Sequence, residues 1–209
     1  MSLSKYKKKR NFSISPEPTA IIKKKSDALS FVVQRHKATR LHYDFRLEMD
    51  GVLKSWAVPK GPSMNPEDKR LAMMVEDHPY EYKDFKGVIP EGYGAGIVEI
   101  WDNGKYTDIE NDDKEIAEKK LRAGLKAGNL KFTLSGKKLK GEFALVKLKS
   151  QEDNAWLLIK HKDKFATEKK YDSENETRSD SPINKWLKKN KNPVVKKKSA
   201  VQRAQGEKS

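Results

Sequence analysis

Apolar and polar residues alternate strictly along residues 41–49 of the chain. The apolar positions are Leu41, Tyr43, Phe45, Leu47 and Met49. The polar positions between them are His42, Asp44, Arg46 and Glu48. Because successive side chains of a β-strand point to opposite faces, this alternation predicts a strand whose apolar face packs into a core. Glu48 lies beside the next turn, so we expect its carboxylate to be solvated.

Short apolar runs separated by turn residues predict several further strands. These runs occupy residues 31–34, 52–58, 71–75, 97–101, 130–134, 142–148 and 155–160. The pair Asp50-Gly51 and the segment Asp102-Asn103-Gly104-Lys105 are typical of tight hairpin turns. Residues 113–126 have the spacing of a helix, with Gly128 near its end. Many short strands with little helix predict a mainly β fold, either a barrel or a sandwich.

The two ends of the chain differ in pattern from its centre. Residues 1–29 contain Pro16 and Pro18 and a short apolar run broken by lysines, so we predict an irregular N-terminal arm. We predict one folded domain over residues 30–166. Residues 167–209 are predicted to be a polar linker followed by a basic, disordered tail in which Trp186 is isolated.

Positive charge is concentrated in these two ends. The chain of 209 residues has a formal net charge of +15. Residues 1–30 hold eight Lys or Arg and two acidic residues, and residues 184–209 hold nine and one. The central part is therefore almost neutral. Basic arms on a neutral domain predict a polyanionic partner, most often nucleic acid. The alternative is that these lysines only keep the protein soluble.

Composition excludes several classes of protein. The chain contains no cysteine, which rules out disulfides and thiolate metal sites. No apolar run approaches the ~20 residues of a membrane-spanning helix, and the N-terminus lacks the apolar segment of a secretory signal. Neither basic arm has the wide apolar face of a membrane-binding helix. We therefore expect a cytoplasmic protein with no membrane partner. We also expect it to be nucleoid-associated and monomeric.

The polar face of the strand over residues 41–49 is the strongest indication of chemistry. His42, Asp44 and Arg46 share this face, and His36 lies just upstream. A lone histidine is more often structural, but two imidazoles with a carboxylate form a ligand set for Mn, Fe or Zn. An adjacent arginine suits an anionic group, which it grips through two parallel hydrogen bonds. The pattern therefore favours a metal site beside a phosphate or carboxylate site.

Other candidate residues are less decisive on local grounds. His78 precedes Pro79 and lies near Tyr82, so it suits a proton donor or a phosphate ligand as well as an ordinary loop residue. The glycine-rich segment 92–96 suits a phosphate cradle, although tight barrel corners use glycines in the same way and are favoured. Lys60 and Arg70 resemble ordinary surface cations.

Three classes of function remain open at this point. The first is a metal-dependent phosphoesterase or nuclease that acts on nucleic-acid ends. The second is a non-catalytic nucleic-acid-binding module whose histidines are structural. The third is a non-haem iron oxygenase with two histidines and one carboxylate, which fits basic arms poorly.

The sequence resembles the 3′-phosphoesterase domain family of bacterial DNA ligase D, which also occurs as stand-alone proteins. The central matching segment reads His36-Lys37-Ala38-Thr39-Arg40-Leu41-His42-Tyr43-Asp44-Phe45-Arg46. Further matching segments are residues 31–35, 47–51, 55–62, 75–79, 87–92, 139–146 and 156–162. The resemblance covers about residues 10–166. The chain departs from the family at Asn11, where aspartate is usual, and by one residue fewer between Gly92 and Tyr93.

The resemblance implies a compact antiparallel β-barrel with a few short flanking helices. It also implies Mn²⁺-dependent removal of 3′ ribonucleotides and then 3′-phosphates from a DNA primer strand, with Co²⁺ as an alternative ion. The implied partners are DNA or RNA-tipped DNA 3′ ends in non-homologous end joining, together with Ku and a DNA ligase or polymerase. The chain holds no ligase nucleophile motif, so we expect a free-standing end-processing enzyme.

The resemblance also assigns roles to residues of this chain. His36, His42 and Asp44 match the metal ligands of the family. Arg46, His78 and Tyr82 match residues around the scissile phosphate. Further matches in or near the active site are Gln34, Lys60, Arg70, and, from the N-terminal arm, Arg10 and Glu17.

Overall fold

The structure is a computed structural model that describes residues 3–22, 27–149 and 153–190. The described residues form ten strands, three α-helices and one 3₁₀ helix. The strands are β1 Ser30–Lys37, β2 Leu41–Met49, β3 Val52–Val58, β4 Arg70–Met74, β5 His78–Pro79, β6 Gly87–Ile89, β7 Gly96–Thr107, β8 Asn129–Gly136, β9 Lys140–Lys147 and β10 Ala155–Lys160. The helices are α1 Ser4–Lys8, α2 Lys114–Ala127, α3 Pro182–Asn190 and the 3₁₀ helix Tyr80–Asp84.

Eight of these strands close into an antiparallel barrel. The order around the barrel is β1-β2-β3-β4-β10-β9-β8-β7, and β7 pairs with β1 to complete the ring. The two short strands lie outside the ring, β5 beside β3 and β6 beside β7. Closure leaves no free edge among the eight barrel strands, which removes the usual route to edge-to-edge association. The predicted mainly β barrel is therefore confirmed.

Aromatic side chains fill the barrel interior. Phe45, Trp56, Phe132 and Phe143 are all completely buried. The rings of Phe45 and Phe132 lie 5.8 Å apart between centroids, and those of Phe132 and Phe143 lie 6.3 Å apart. The apolar face predicted for β2 points into this core, so the alternation along residues 41–49 placed that strand correctly.

The outer, polar face of β2 is covered as well. Glu48, which we expected to be solvated, is only 3% exposed and accepts hydrogen bonds from the Ser30 amide and hydroxyl. A second apolar cluster lies over this side of the barrel. It comprises Leu3, Tyr6, Val52, Leu53, Tyr80, Tyr82, Phe85, Ile89 and Val98.

The N-terminal segment belongs to this second cluster, so the prediction of an irregular arm over residues 1–29 is wrong in part. Leu3 and Tyr6 are buried, and the Tyr6 hydroxyl donates to the carbonyl of Pro18 at 2.7 Å. Leu3 immediately precedes α1 and Tyr6 lies within it, and both pack into the second cluster. The segment is thus a second layer above the outer face of the barrel.

Strand β7 crosses the predicted hairpin turn at residues 102–105, so that prediction is wrong. The chain stays extended there because β7 pairs with β1 on one side and β8 on the other. The register shifts between Val33 and Gln34, opposite Asp102 and Ile100, which marks a bulge at Trp101. Gly104 serves close strand contact, since an added Cβ would lie 2.2 Å from the Ser135 carbonyl oxygen.

Helix α2 agrees with its predicted bounds within one residue. The Asp113 carboxylate accepts a hydrogen bond from the Ile116 amide and caps the first turn. Gly128 ends the helix with φ +75°, the left-handed conformation that glycine adopts without strain. No helix among the described residues is long and apolar enough to span a membrane.

Residues 167–190 pack against the barrel, which corrects the prediction of a linker and unpacked tail for this part of the chain. Ser173 is fully buried and donates to the Pro62 carbonyl at 2.6 Å, and Ile183 of α3 is fully buried. The indole of Trp101 donates to the carbonyl of Ser173 and to the hydroxyl of Thr177. The remaining part of the predicted tail, residues 191–209, lies outside the described residues.

Glu174 explains why this polar segment packs. Arg35 is completely buried, and its guanidinium donates to Glu99, Glu174 and Asn184. Tyr43 lies opposite Arg35 across the β1–β2 ladder, and its hydroxyl also donates to Glu174. A buried guanidinium requires such hydrogen-bond acceptors. Glu174, in the segment predicted to be a linker, therefore supplies an acceptor for a cation inside the fold.

We expect Glu174→Ala to lower the free energy of unfolding by about 2 kcal/mol, because Arg35 and Tyr43 both lose an acceptor. For a domain of this size, that change corresponds to a decrease in Tm of about 6 °C. Glu176→Ala, which removes an exposed carboxylate two residues away, is the matched control. Thermal unfolding followed by circular dichroism measures both, and equal Tm values for the two variants would contradict the contribution of Glu174.

Candidate metal and phosphate site

The hairpin of β1 and β2 brings the two candidate histidines face to face. His36 and His42 are direct cross-strand partners, and Gln34 is the partner of Asp44. Paired residues of antiparallel strands lie on the same face, so all four side chains project from the outer side of the barrel. The centroids of the two imidazole rings are 4.8 Å apart.

Backbone carbonyls orient both imidazoles. His36 Nε2 donates to the Gly94 carbonyl oxygen at 2.9 Å, and His42 Nδ1 donates to the Arg40 carbonyl oxygen at 3.0 Å. In each ring the other nitrogen points away from these carbonyls and is the one that can coordinate a cation. These nitrogens, His36 Nδ1 and His42 Nε2, each lie 3.6 Å from a carboxylate oxygen of Asp44.

The three side chains form a group that could hold a metal ion. One ligand atom from each of His36, His42 and Asp44 lies within 4.8 Å of the other two. Metal-bound histidines in proteins usually donate their second ring N–H to a carbonyl or carboxylate, as both rings do here. The donor set and its outer hydrogen bonds therefore fit a divalent transition metal.

Arg46 lies beside this group in a fixed orientation. Its Nη2 donates to Asp44 at 3.0 Å, its Nη1 to the Ser55 hydroxyl, and its Nε to the Gln34 side chain at 2.7 Å. Burial alone would raise the pKa of Asp44, but the Arg46 guanidinium, with His36 and His42, holds it well below its usual range. Asp44 is therefore ionised, as a metal ligand must be.

The N-terminal segment supplies a second buried arginine. Arg10 donates from Nε to Glu17 at 2.8 Å, from Nη1 to Glu76 at 3.1 Å, and its Nη2 lies 3.0 Å from His78 Nε2. Burial alone would raise the pKa of Glu76, but hydrogen bonds from Lys9 and Arg10 lower it. Residues distant in sequence thus fix this guanidinium above the hairpin.

His78 and Tyr82 complete the same network in their neutral forms. Burial lowers the pKa of His78 well below its usual value, and the charges of Arg46 and Arg10 lower it further. Its Nδ1 donates to the Glu76 carbonyl, so Nε2 accepts the hydrogen bond from Arg10. Burial raises the pKa of Tyr82 well above its usual value, and its hydroxyl donates to Glu17 at 2.9 Å.

These groups surround one cavity of about 150 Å³. Eight of the residues proposed from sequence line it: Arg10, Glu17, His36, His42, Asp44, Arg46, His78 and Tyr82. Gln34 lies behind Arg46 and orients it without lining the cavity.

Lys60 and Arg70 are not brought to this cavity. Lys60 is exposed in the turn after β3. Arg70 donates to Asp68 and to the Tyr171 carbonyl, both at 2.9 Å, and so holds the segment that leads to α3. Neither residue contacts the His36, His42 and Asp44 group in the described part of the chain.

Three further residues at the cavity were not among the predicted site residues, although the segment 92–96 that contains two of them was considered as a phosphate cradle. Glu76 pairs with Lys9 and Arg10, Gly94 orients His36 through its carbonyl, and Tyr93 forms part of the wall. Glu76 lies two residues before His78, and this proximity in sequence could have identified it as a candidate. The role of Gly94 depends on a backbone oxygen, which residue identity does not reveal.

Two imidazoles and a carboxylate beside two buried arginines define a candidate metal and anion site on a β-barrel. The sequence model of the DNA Ligase D 3′-phosphoesterase domain matches residues 34–147. This match includes the whole β1–β2 hairpin from Gln34 onward and covers more than half of the chain. The chain therefore belongs to the DNA Ligase D 3′-phosphoesterase domain family.

Curated relatives agree with this assignment. The multifunctional non-homologous end joining protein LigD of Pseudomonas aeruginosa is 47% identical over 165 residues, 77% of this chain and 19% of the relative. The protein of the same name from Mycobacterium bovis is 42% identical over 164 residues, 77% of this chain and 20% of the relative. The chain thus spans about a fifth of the length of these relatives.

Proposed function

We propose that this chain is a metal-dependent 3′-phosphoesterase that heals DNA 3′ ends. It would first remove 3′ ribonucleotides from the primer strand and then remove the remaining 3′-phosphate. The product is a primer strand that ends in a 3′-OH. One observation carries the proposal: ligand atoms of His36, His42 and Asp44 lie within 4.8 Å of one another beside the buried Arg46. The family of the chain supports the same reaction class.

The charge of the cavity supports a cation as part of the site. Among the described lining residues, Arg10 and Arg46 are positive, and Glu17, Asp44 and Glu76 are negative. This balance disfavours a phosphate group, which is itself anionic. A divalent cation held by His36, His42 and Asp44 would make the cavity net positive and act as a Lewis acid on a phosphoryl oxygen. We propose Mn²⁺, with Co²⁺ as an alternative, because the family resemblance implies these ions; two imidazoles and a carboxylate form a ligand set that accepts divalent transition metals.

Arg46 and Arg10 would bind the non-bridging oxygens of the phosphate. Each guanidinium has five N–H donors, and the hydrogen bonds described above occupy only some of them. The partners of both arginines hold them in place before substrate arrives, so little reorganisation is needed as negative charge develops on the phosphoryl oxygens. In the ribonucleotide step we propose that the 2′-OH is essential, so a deoxy terminus would resist trimming.

His78 would act on the phosphate through Arg10. A neutral imidazole whose Nε2 accepts from Arg10 has no proton to donate at that nitrogen. This geometry favours a role for His78 in positioning Arg10, and not the role of proton donor that its local sequence also suggested. Tyr82 would position Arg10 in the same way, through Glu17.

We expect His78→Ala to lower the rate of 3′-phosphate release, and His78→Gln to retain at least about tenfold more activity than His78→Ala. The reason is that a glutamine amide oxygen can accept the hydrogen bond from Arg10, which is worth about 1.5 kcal/mol or more for a charged donor. Initial rates on a 3′-phosphorylated primer–template measure the difference. Equal loss in both variants would instead indicate that the imidazole itself transfers a proton.

We propose that the substrate is a DNA or RNA-tipped DNA 3′ end and that the chain acts in non-homologous end joining. The positively charged ends of the chain favour a polyanionic partner, and the names of its relatives refer to end joining. Ku and a DNA ligase or polymerase are the protein partners that this pathway would supply.

One experiment separates this proposal from a non-catalytic nucleic-acid-binding module. The protein is incubated with Mn²⁺ and duplexes whose primer strand ends in a 3′-phosphate or a single 3′ ribonucleotide. We expect free phosphate from the first and a shortened primer from the second, with neither product when a chelator is present. Binding of both duplexes without any product would support the binding module.

A further inference from the structure

Tyr93 is a large aromatic residue that lines the proposed catalytic cavity and is also 50% exposed. It lies on the glycine-rich loop between β6 and β7. Gly92 and Gly94 on either side have φ of +84° and +80°, a conformation that favours glycine. The Gly94 carbonyl binds His36, so the loop that carries the ring is tied directly to the metal-ligand group.

The ring forms part of the wall of three adjoining cavities. One is the catalytic cavity of about 150 Å³. The second, of about 390 Å³, follows the N-terminal segment past Lys8 and Asn11, and shares Arg10 and Glu17 with the first. The third, of about 790 Å³, extends toward Trp156 and Lys147. Tyr93 therefore lies where the catalytic cavity joins two larger cavities, either of which could hold the rest of a strand whose 3′-phosphate occupies the first.

Cations accompany the ring. Lys9 Nζ lies 4.2 Å from the ring centroid and the Arg10 guanidinium carbon lies 5.7 Å from it. Lys9 is also paired with Glu76 at 2.9 Å, which fixes its position beside the ring. An exposed aromatic ring among cations is the combination with which proteins bind single nucleic-acid strands, the ring stacking on a base and the cations contacting phosphates.

We propose that Tyr93 stacks on the nucleobase of the nucleotide that carries the 3′-phosphate. This inference rests on the proposed function and adds a substrate specificity to it. The site selects a phosphate attached to a nucleoside over other phosphate monoesters. Stacking is tolerant of base identity, because every base has an aromatic face. The subsite therefore accepts any of the four terminal bases and disfavours a terminus that has lost its base.

The test compares two duplexes with a 3′-phosphate, one with a normal terminal nucleotide and one with an abasic terminal nucleotide. For the unmodified protein, we expect KM to be about tenfold higher on the abasic terminus, the effect of one stacked base. For Tyr93→Ala, KM on the normal terminus rises about tenfold and the difference between the two substrates disappears. Tyr93→Phe keeps an aromatic face and restores the preference for the normal terminus. Phe165→Ala, which removes another exposed aromatic residue, keeps the preference as well.

The outcomes distinguish the two levels of the proposal. Equal KM values on both duplexes with the unmodified protein would overturn the stacking subsite while leaving the phosphoesterase intact. A preference that survives in Tyr93→Ala would overturn it too, because another group would then read the base. Release of phosphate from neither duplex would overturn the proposed function and this inference with it.

Discussion

Replacing His42 or Asp44 by alanine is expected to abolish phosphate release from a 3′-phosphorylated primer–template in the presence of Mn²⁺. Each change removes one of three groups whose ligand atoms lie within 4.8 Å of one another. Loss of an outer hydrogen-bond partner of a metal ligand typically costs about 10- to 100-fold in affinity or activity. Loss of a ligand itself should therefore cost more than about 100-fold. Initial rates of phosphate release measure the effect.

His161→Ala is the matched control for His42→Ala. His161 lies outside the cavity, where its ring contacts Glu142 at 3.3 Å. We expect this variant to retain the activity of the unmodified protein within about twofold. Calorimetric titration with Mn²⁺ provides a second measurement that is independent of turnover, and both site variants should bind the ion weakly. Substantial activity of either site variant with Mn²⁺ supplied would contradict the assignment of the ligands.

Local alternation was enough to predict β2, the strand that carries two of the three proposed metal ligands. The period of two along residues 41–49 depends only on neighbouring residues, and the observed β2 has these same bounds. It also placed His42, Asp44 and Arg46 on one face, which the structure bears out. The expectation that Glu48 on this face is exposed to solvent was wrong. Coverage of Glu48 by a second layer depends on residues elsewhere in the chain.

Pairing between distant segments accounts for what could not be predicted. The Asn103-Gly104 dipeptide is a local turn signal, yet β7 continues through it because β1 and β8 pair with it on both sides. In the site, Arg10 and His78 are 68 residues apart in sequence and meet only in the folded chain. The same holds for Arg35 and Glu174, which are 139 residues apart. Composition alone made the segment around Glu174 look like a linker.

The resemblance to a family decided what local reasoning left open. It added Arg10 and Glu17, and it assigned His78 and Tyr82, which the local sequence left undecided, to the phosphate; all four line the cavity with His36, His42 and Asp44. It also suggested Lys60 and Arg70, which lie elsewhere in this structure. Family resemblance thus identified which residues to consider, and the hydrogen bonds indicate how each of them is connected to the cavity.

Arg46→Lys is expected to reduce phosphate release by about 100- to 1,000-fold, the usual cost of losing an oriented donor at developing negative charge. Arg46 uses three nitrogens at once, toward Gln34, Ser55 and Asp44. A lysine ammonium keeps the charge but is a single point, so it cannot maintain these three contacts and also bind a phosphoryl oxygen. The loss of activity should therefore be larger than the smaller size of the lysine head group alone would cause.

Arg122→Lys controls for the general effect of this substitution, because Arg122 also pairs with an aspartate, Asp50, but its side chain is 54% exposed. We expect this variant to stay within about twofold of the unmodified protein in activity. Because Arg46 is buried, its replacement could also destabilise the protein. Thermal unfolding of both variants shows whether a loss of activity comes from the lost contacts or from loss of the folded state. A folded Arg46→Lys variant with activity within about threefold of the unmodified protein would show that charge alone suffices at this position, and that the oriented guanidinium is not what binds the phosphate.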